Sequence, residues 1–162
     1  MKKRLLVMAL AIVFCVAGCS KEEQKILQSV SVTEEALQSD DTGSSLDAYM
    51  ASVKEQSDHI KEFLEHDAMT QADMNVKSQE LYELWDDALN YLWDELKGSL
   101  PEEEFAVLRE NQRTWIADKE KAMEEAGKEV EGGSMYALVV NMEAANLTEA
   151  RVYEFYEMLK EK

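Results

Sequence analysis

A single proline, Pro101, and six glycines are all that interrupt a chain of 162 residues. Proline removes a helix donor and glycine loosens the backbone, so long stretches of this chain carry nothing that would stop a helix. Sandwiches and barrels need turn residues about every 8 to 12 positions, and they are missing. Apolar residues make up 46% of the chain and the body is rich in Glu, Lys, Leu and Ala. That balance points away from disorder and towards an all-α protein.

The apolar residues fall at helical spacing. Leu46, Met50, Val53, Ile60 and Leu64, with Tyr49 and Phe63 beside them, predict a first helix near 46–66. A second starts at Thr70-Gln71-Ala72-Asp73, where the Thr70 hydroxyl can cap the amide three residues on. It carries Met74, Leu81, Trp85, Ala88, Leu92 and Leu96, a stripe broad enough to be packed on more than one side. Gly98-Ser99-Leu100-Pro101 ends it, and Pro101 with Glu102, Glu103 and Glu104 opens a third helix by a preset φ and anions at the positive dipole end. That helix carries Phe105, Leu108, Trp115, Ile116 and Met123. Gly132-Gly133-Ser134 interrupts again, with Ser134 read as a helix cap. A short fourth helix over about 135–145 and a fifth introduced by Leu147-Thr148, carrying Val152, Phe155, Tyr156 and Leu159, complete the pattern. The expectation is a compact all-α bundle of about four to five helices over 46–162. The methionines serve it as core filling.

The N-terminus reads differently. Met1-Lys2-Lys3-Arg4 is a positive n-region, and Leu5 to Gly18 is an apolar run of fourteen residues. A spanning helix needs about 20 apolar residues, so the run reads as a cleaved signal peptide, residues 1–18. Its end, Val16-Ala17-Gly18-Cys19, resembles the bacterial lipobox. The resemblance implies a lipoprotein whose Cys19 carries diacylglycerol and a further acyl chain such as palmitate. Two or more chains anchor durably, since each buried methylene contributes about 0.8 kcal/mol. Residues 19–45 form a lipidated N-terminus and polar, flexible linker with a reach of roughly 25 to 30 Å. The chain is thereby expected outside the cytoplasm, lipid-anchored to the bacterial membrane.

Charge narrows the partners. Thirty-four acidic against 17 basic residues give −17, and loss of residues 1–18 makes it −20. Nucleic acid, bound by neutralising phosphates with Lys and Arg, is not an expected partner. Cys15 leaves with the signal and Cys19 is consumed by lipid, so no thiol remains for a disulfide, a metal or a nucleophile. No cofactor is expected beyond the covalent lipid.

Polar residues also sit inside the apolar stripes. Tyr82, Asp86, Leu89 and Trp93 share one face of the second helix, Asn90 follows Asp86 by one turn, and Gln112 falls in the periodic row of the third. Such groups need hydrogen bonds. The economical expectation is that Asp86 and Asn90 meet Gln112 and Arg113 across the helix interface, fixing register, so that Asp86→Ala unfolds the domain. The alternative is that Asp86 and Arg113 line a ligand cleft. Glu55, His59, Glu62 and His66 share the polar side of the first helix. The two imidazoles are about 10.5 Å apart along the axis, so a solvated charged face is preferred to a metal site. Catalysis is not expected: no carboxylate pair is singled out, Ser134 lacks the strand context of a nucleophile elbow, and no phosphate loop or dinucleotide fingerprint occurs.

Five motifs in order carry a family resemblance. They are Thr70-Gln71-Ala72-Asp73-Met74-Asn75; Tyr82 with Asp86, Leu89 and Asn90; Gln112-Arg113-x-Trp115-Ile116; Gly132-Gly133-Ser134; and Leu147-Thr148-x-x-Arg151. Over about 70–159 the chain resembles the N-terminal domain of LprI-type lysozyme inhibitors. The resemblance implies a lysozyme inhibitor, and a −20 protein would attract basic lysozymes. Candidate contacts are the acidic segments with Glu102, Glu103 and Glu104, and with Glu124, Glu125, Glu129 and Glu131. The alternative is a non-inhibitory adaptor or structural lipoprotein with another cationic or envelope partner. The family commonly has cysteines where this chain has Val76, Met123, and Met142 or Glu143, so its crosslinks are absent, and Lys119 stands where the family tends to have Arg.

Overall fold

In a computed structural model, residues 42–66 and 69–162 are described, and among them the chain forms four α-helices. These are α1 (Thr42–His66), α2 (Gln71–Ser99), α3 (Glu102–Gly127) and α4 (Tyr136–Lys160). A single 3₁₀ turn, Lys128–Val130, follows α3. The signal segment 1–18, Cys19 and the linker as far as residue 41 lie outside the described residues. No helix among the described residues is long and apolar enough to cross a membrane.

The α2 start follows from its side chains. Thr70 Oγ1 accepts from the Asp73 amide at 3.2 Å, and the Asp73 carboxylate accepts from the Thr70 amide at 3.2 Å. Two of the amides left orphaned at a helix start are thereby satisfied reciprocally. These bonds hold the Asp73 carboxyl below its ordinary value of 3.8, the Thr70 hydroxyl contributing most. The stabilisation from this carboxylate is therefore complete above the unfolded value and lost as pH falls through the lowered native one. Thr70→Ala is expected to cost about 1 kcal/mol. In urea melts, its deficit relative to wild type should shrink once the pH is taken below the native Asp73 value.

Pro101 precedes α3, and Glu102, Glu103 and Glu104 fill the first turn. After α3 the chain reverses through Gly132, whose φ of +72° suits a residue without Cβ. Gly127 lets the Tyr136 ring pack closely: a Cβ there would lie 2.6 Å from Tyr136 Cε2 and the ring would have to move.

The expected fourth and fifth helices are one. Nothing between 136 and 160 is Gly or Pro, and Thr148 is fully buried, its hydroxyl donating back to the Ala144 carbonyl at 2.7 Å. A hydroxyl spent on the preceding turn cannot cap a new one. Ser134 likewise is no side-chain cap; α4 starts after Met135 without a capping side chain. The Ser134 carbonyl instead accepts from Asn75 Nδ2 at 3.0 Å, which ties the start of α2 to the loop before α4.

α4 packs most extensively on α2, with α3 against α4 and α1 against α2. The core joins Leu81, Trp85, Leu92 and Leu96 of α2 to Val152 and Phe155 of α4, all fully buried. α1 adds Met50 and Val53. Its row continues through Ser57, also fully buried, which accepts from Trp85 Nε1 at 3.2 Å. Lys61 of α1 pairs with Glu149 of α4 at 2.6 Å.

Candidate functional site

α2 and α3 follow one another in the chain, yet their backbones hardly meet, because α4 packs against both. Near the connection they are bridged by Trp93, whose ring lies 4.8 Å from Phe105 of α3 and 5.8 Å from Phe155 of α4. Along the rest of their length a groove opens. One part, about 310 Å³, is lined by Tyr82, Asp86, Trp115, Lys119, Glu120 and Met123. The adjoining part, about 270 Å³, is lined by Trp93, Arg109 and Arg113, and both share Leu89, Asn90, Gln112 and Ile116. Ile116, an apolar residue of the third helix, is 41% exposed, and among the described residues no helix covers the groove.

One buried cation lines it, and a second, 13% exposed, holds one of its lining residues from α4. Lys119 is only 9% exposed; its ammonium donates to the Tyr82 hydroxyl at 3.2 Å and lies 5.1 and 5.0 Å from the rings of Tyr82 and Trp115. The quadrupoles of those rings favour a cation held over them. Asp86 Oδ1 is 4.0 Å from it, too far for a hydrogen bond. Arg151 comes from α4: its Nε donates to Gln112 Oε1 at 2.9 Å, its Nη1 to Glu154 at 2.6 Å, and its Cζ lies 4.7 Å from the ring centre of Phe155 and 5.7 Å from that of Trp115. Its buried Nη2 has no hydrogen-bond partner among the described residues.

The polar residues singled out in the sequence are thus arranged differently from the expected network. Asn90 donates to Asp86 at 3.3 Å on its own helix. Gln112 meets Arg151 rather than Asp86 or Asn90. Arg113, adjacent to Gln112 and so turned about 100° from it, stands at the groove rim and pairs with Glu110, its side chain 67% exposed. The cross-helix partners are Lys119 and Arg151, and Lys119 was missed as a site residue; its place four residues after Trp115, in the row of Phe105, Leu108 and Gln112, is the signal that marks it. With the Asp86 side chain 41% exposed, Asp86→Ala is expected to leave the bundle folded rather than to unfold it. Urea denaturation checks this as a midpoint shift of about 1 kcal/mol or less.

The seven candidate glutamates are all exposed. Glu102, Glu103 and Glu104 stand at one end of α3, while Glu124 and Glu125 stand at the other, about 30 Å away by helical rise. Glu129 and Glu131 lie just beyond. Glu104 is bonded by Lys162 at 2.9 Å and Glu125 by Lys128. Among the described residues no group of three or more His, Cys, Asp or Glu is placed to hold a metal ion, and the His66 side chain lies outside the described residues.

A family profile described as lysozyme inhibitor LprI matches residues 65–155, more than half of the chain. The chain belongs to the LprI lysozyme-inhibitor family. The LprI match covers α2 and α3, which line the groove, and α4 as far as residue 155, and leaves most of α1 outside. Searches of curated proteins and of solved structures returned no match. At the positions where LprI resemblance implied cysteines, Val76 is 56% exposed, Met123 lines the groove and Met142 packs against the core.

Proposed function

We propose that this LprI protein is an exported lipoprotein, lipid-anchored through Cys19 on the outer side of a bacterial membrane, that binds and inhibits a basic lysozyme. The family match carries the inhibitory part of the reading, the formal charge of −17 supports it, and the Val16-Ala17-Gly18-Cys19 motif is what suggests the anchor. An acidic surface speeds encounter with a basic partner, and the gain falls with salt. The exposed glutamates at the two ends of α3 lie too far apart for one small contact, so each end is a separate candidate face. No catalytic role is assigned to the chain.

The test is inhibition of cell-wall hydrolysis by lysozyme, titrated at physiological and at high salt against an acidic helical protein of similar charge. Saturable inhibition near one-to-one, absent from the control, is expected; inhibition equal to the control would overturn the reading in favour of nonspecific charge attraction. Replacing Glu102, Glu103 and Glu104 together by Gln, and separately Glu124, Glu125, Glu129 and Glu131, should weaken inhibition through only one set. Anchoring is tested by Cys19→Ser, which should move the protein from the membrane to the soluble fraction.

A further inference from the structure

The groove has the wrong charge for a basic partner. Acids outnumber cations two to one in the chain, yet Arg109, Arg113 and Lys119 face two acids, Asp86 and Glu120, along the groove. Both acids lie at the Lys119 end; no acidic residue lines the part with Arg109 and Arg113, where Arg113 Nη1 is bonded at the rim to Glu110 at 2.6 Å, leaving its other guanidinium N–H groups for a ligand.

Its hydrogen-bonding capacity is also unspent. The Lys119 ammonium has three protons, of which one goes to Tyr82. Gln112 gives its amide oxygen to Arg151, leaving its amide N–H groups without a partner among the described residues. Asn90 donates to Asp86, leaving its amide oxygen. An amide donor on one wall and an amide acceptor on the other are the complement of a peptide unit, while Leu89, Trp93 and Ile116 give an apolar floor. Arg113 and Lys119 are six residues apart on α3, about 9 Å along the axis and about 120° around it, so Lys119 points into the groove and Arg113 leans in from its rim. In an extended peptide, side chains two residues apart leave the same face about 6.6 Å from one another, and the long arms of Arg and Lys cover the difference.

We propose that the groove between α2 and α3 binds a short acidic peptide in extended conformation. One carboxylate side chain meets Arg109 and Arg113, another meets Lys119, and the intervening backbone bonds Asn90 and Gln112. This site is separate from lysozyme inhibition and stands whether or not that occurs.

The experiment is calorimetric titration of the full-length chain in mild nonionic detergent, with tryptophan emission as second readout, since Trp93 and Trp115 line the groove. The probes are acetyl-Glu-Ala-Glu-amide, its Gln and Lys counterparts, and glutarate. Saturable one-to-one binding of the Glu peptide is expected, at least about tenfold tighter than the Gln peptide because charged hydrogen bonds are lost, with none of the Lys peptide. Lys119→Met should weaken it about tenfold and Arg113→Gln about threefold by the same terms, discounted for the exposure of Arg113. Arg113→Gln should keep the wild-type helical signal, so it carries the test if Lys119→Met does not fold. Absence of saturation, equal binding of the Gln peptide, glutarate as tight as the peptide, or wild-type affinity in Arg113→Gln would overturn the proposal.

Discussion

Glu149→Pro is expected to lower stability by about 3 kcal/mol or more, against a total of about 5 to 15 kcal/mol for a domain of ordinary stability. Position 149 is in the interior of α4 (Tyr136–Lys160). Proline there removes an amide that donates to the carbonyl four residues back, and its ring pushes the preceding residue out of helical geometry. That residue is Thr148, fully buried and bonded to Ala144, so the strain falls in the core. The Glu149 side chain also pairs with Lys61, each about a quarter to a third exposed. Glu149→Ala isolates that loss, expected at about 1 kcal/mol or less. Helical signal followed in urea separates the two effects. Had a new helix begun at Thr148, residue 149 would be its first position, where proline is favoured; an unchanged midpoint in Glu149→Pro would show that break.

Trp85→Ala should cost about 3 to 5 kcal/mol and lower the melting temperature by roughly 10 to 20 °C for a domain of this size. The ring is fully buried. It lies 5.9 Å from Tyr153 of α4, Lys61 of α1 stands 6.0 Å over it, and its Nε1 donates to Ser57. One side chain thus joins three helices. Truncation removes apolar burial and leaves a cavity, and it strands a buried hydroxyl on Ser57. Trp85→Phe keeps most of the volume and loses the indole bond, so it should cost only about 1 to 3 kcal/mol, set by the orphaned hydroxyl. Thermal unfolding of both variants, with Ser57→Ala as the partner substitution, checks the ordering.

The residues that carried the family resemblance separate into two kinds. Thr70 was legible because a capping box is a local device: a hydroxyl and a carboxylate three residues apart meet wherever a helix begins. Asp86, Asn90, Gln112 and Arg113 were visible as polar residues within periodic rows, yet the choice of partner depends on which helix faces which, and spacing along one helix does not contain that information. Arg151 reaches Gln112 only because α4 packs against both α2 and α3. Ser57 was passed over for a similar reason. A small polar residue between Val53 and Ile60 reads as a gap in an apolar row until the indole that fills it is known.

Sequence alone determined the helical class, the starts of α2 and α3 and the acidic charge, since each follows from residues within a turn of one another or from a simple sum; α1 begins at Thr42, inside the stretch expected as linker. The signal and lipid site are expectations from local sequence, and they lie outside the described residues. Tertiary structure decided that α4 is one helix, that α2 and α3 stand apart, and that Lys119 and Arg151 converge on Trp115. Those outcomes depend on contacts between residues far apart in the chain, where burial rather than local preference sets the energy.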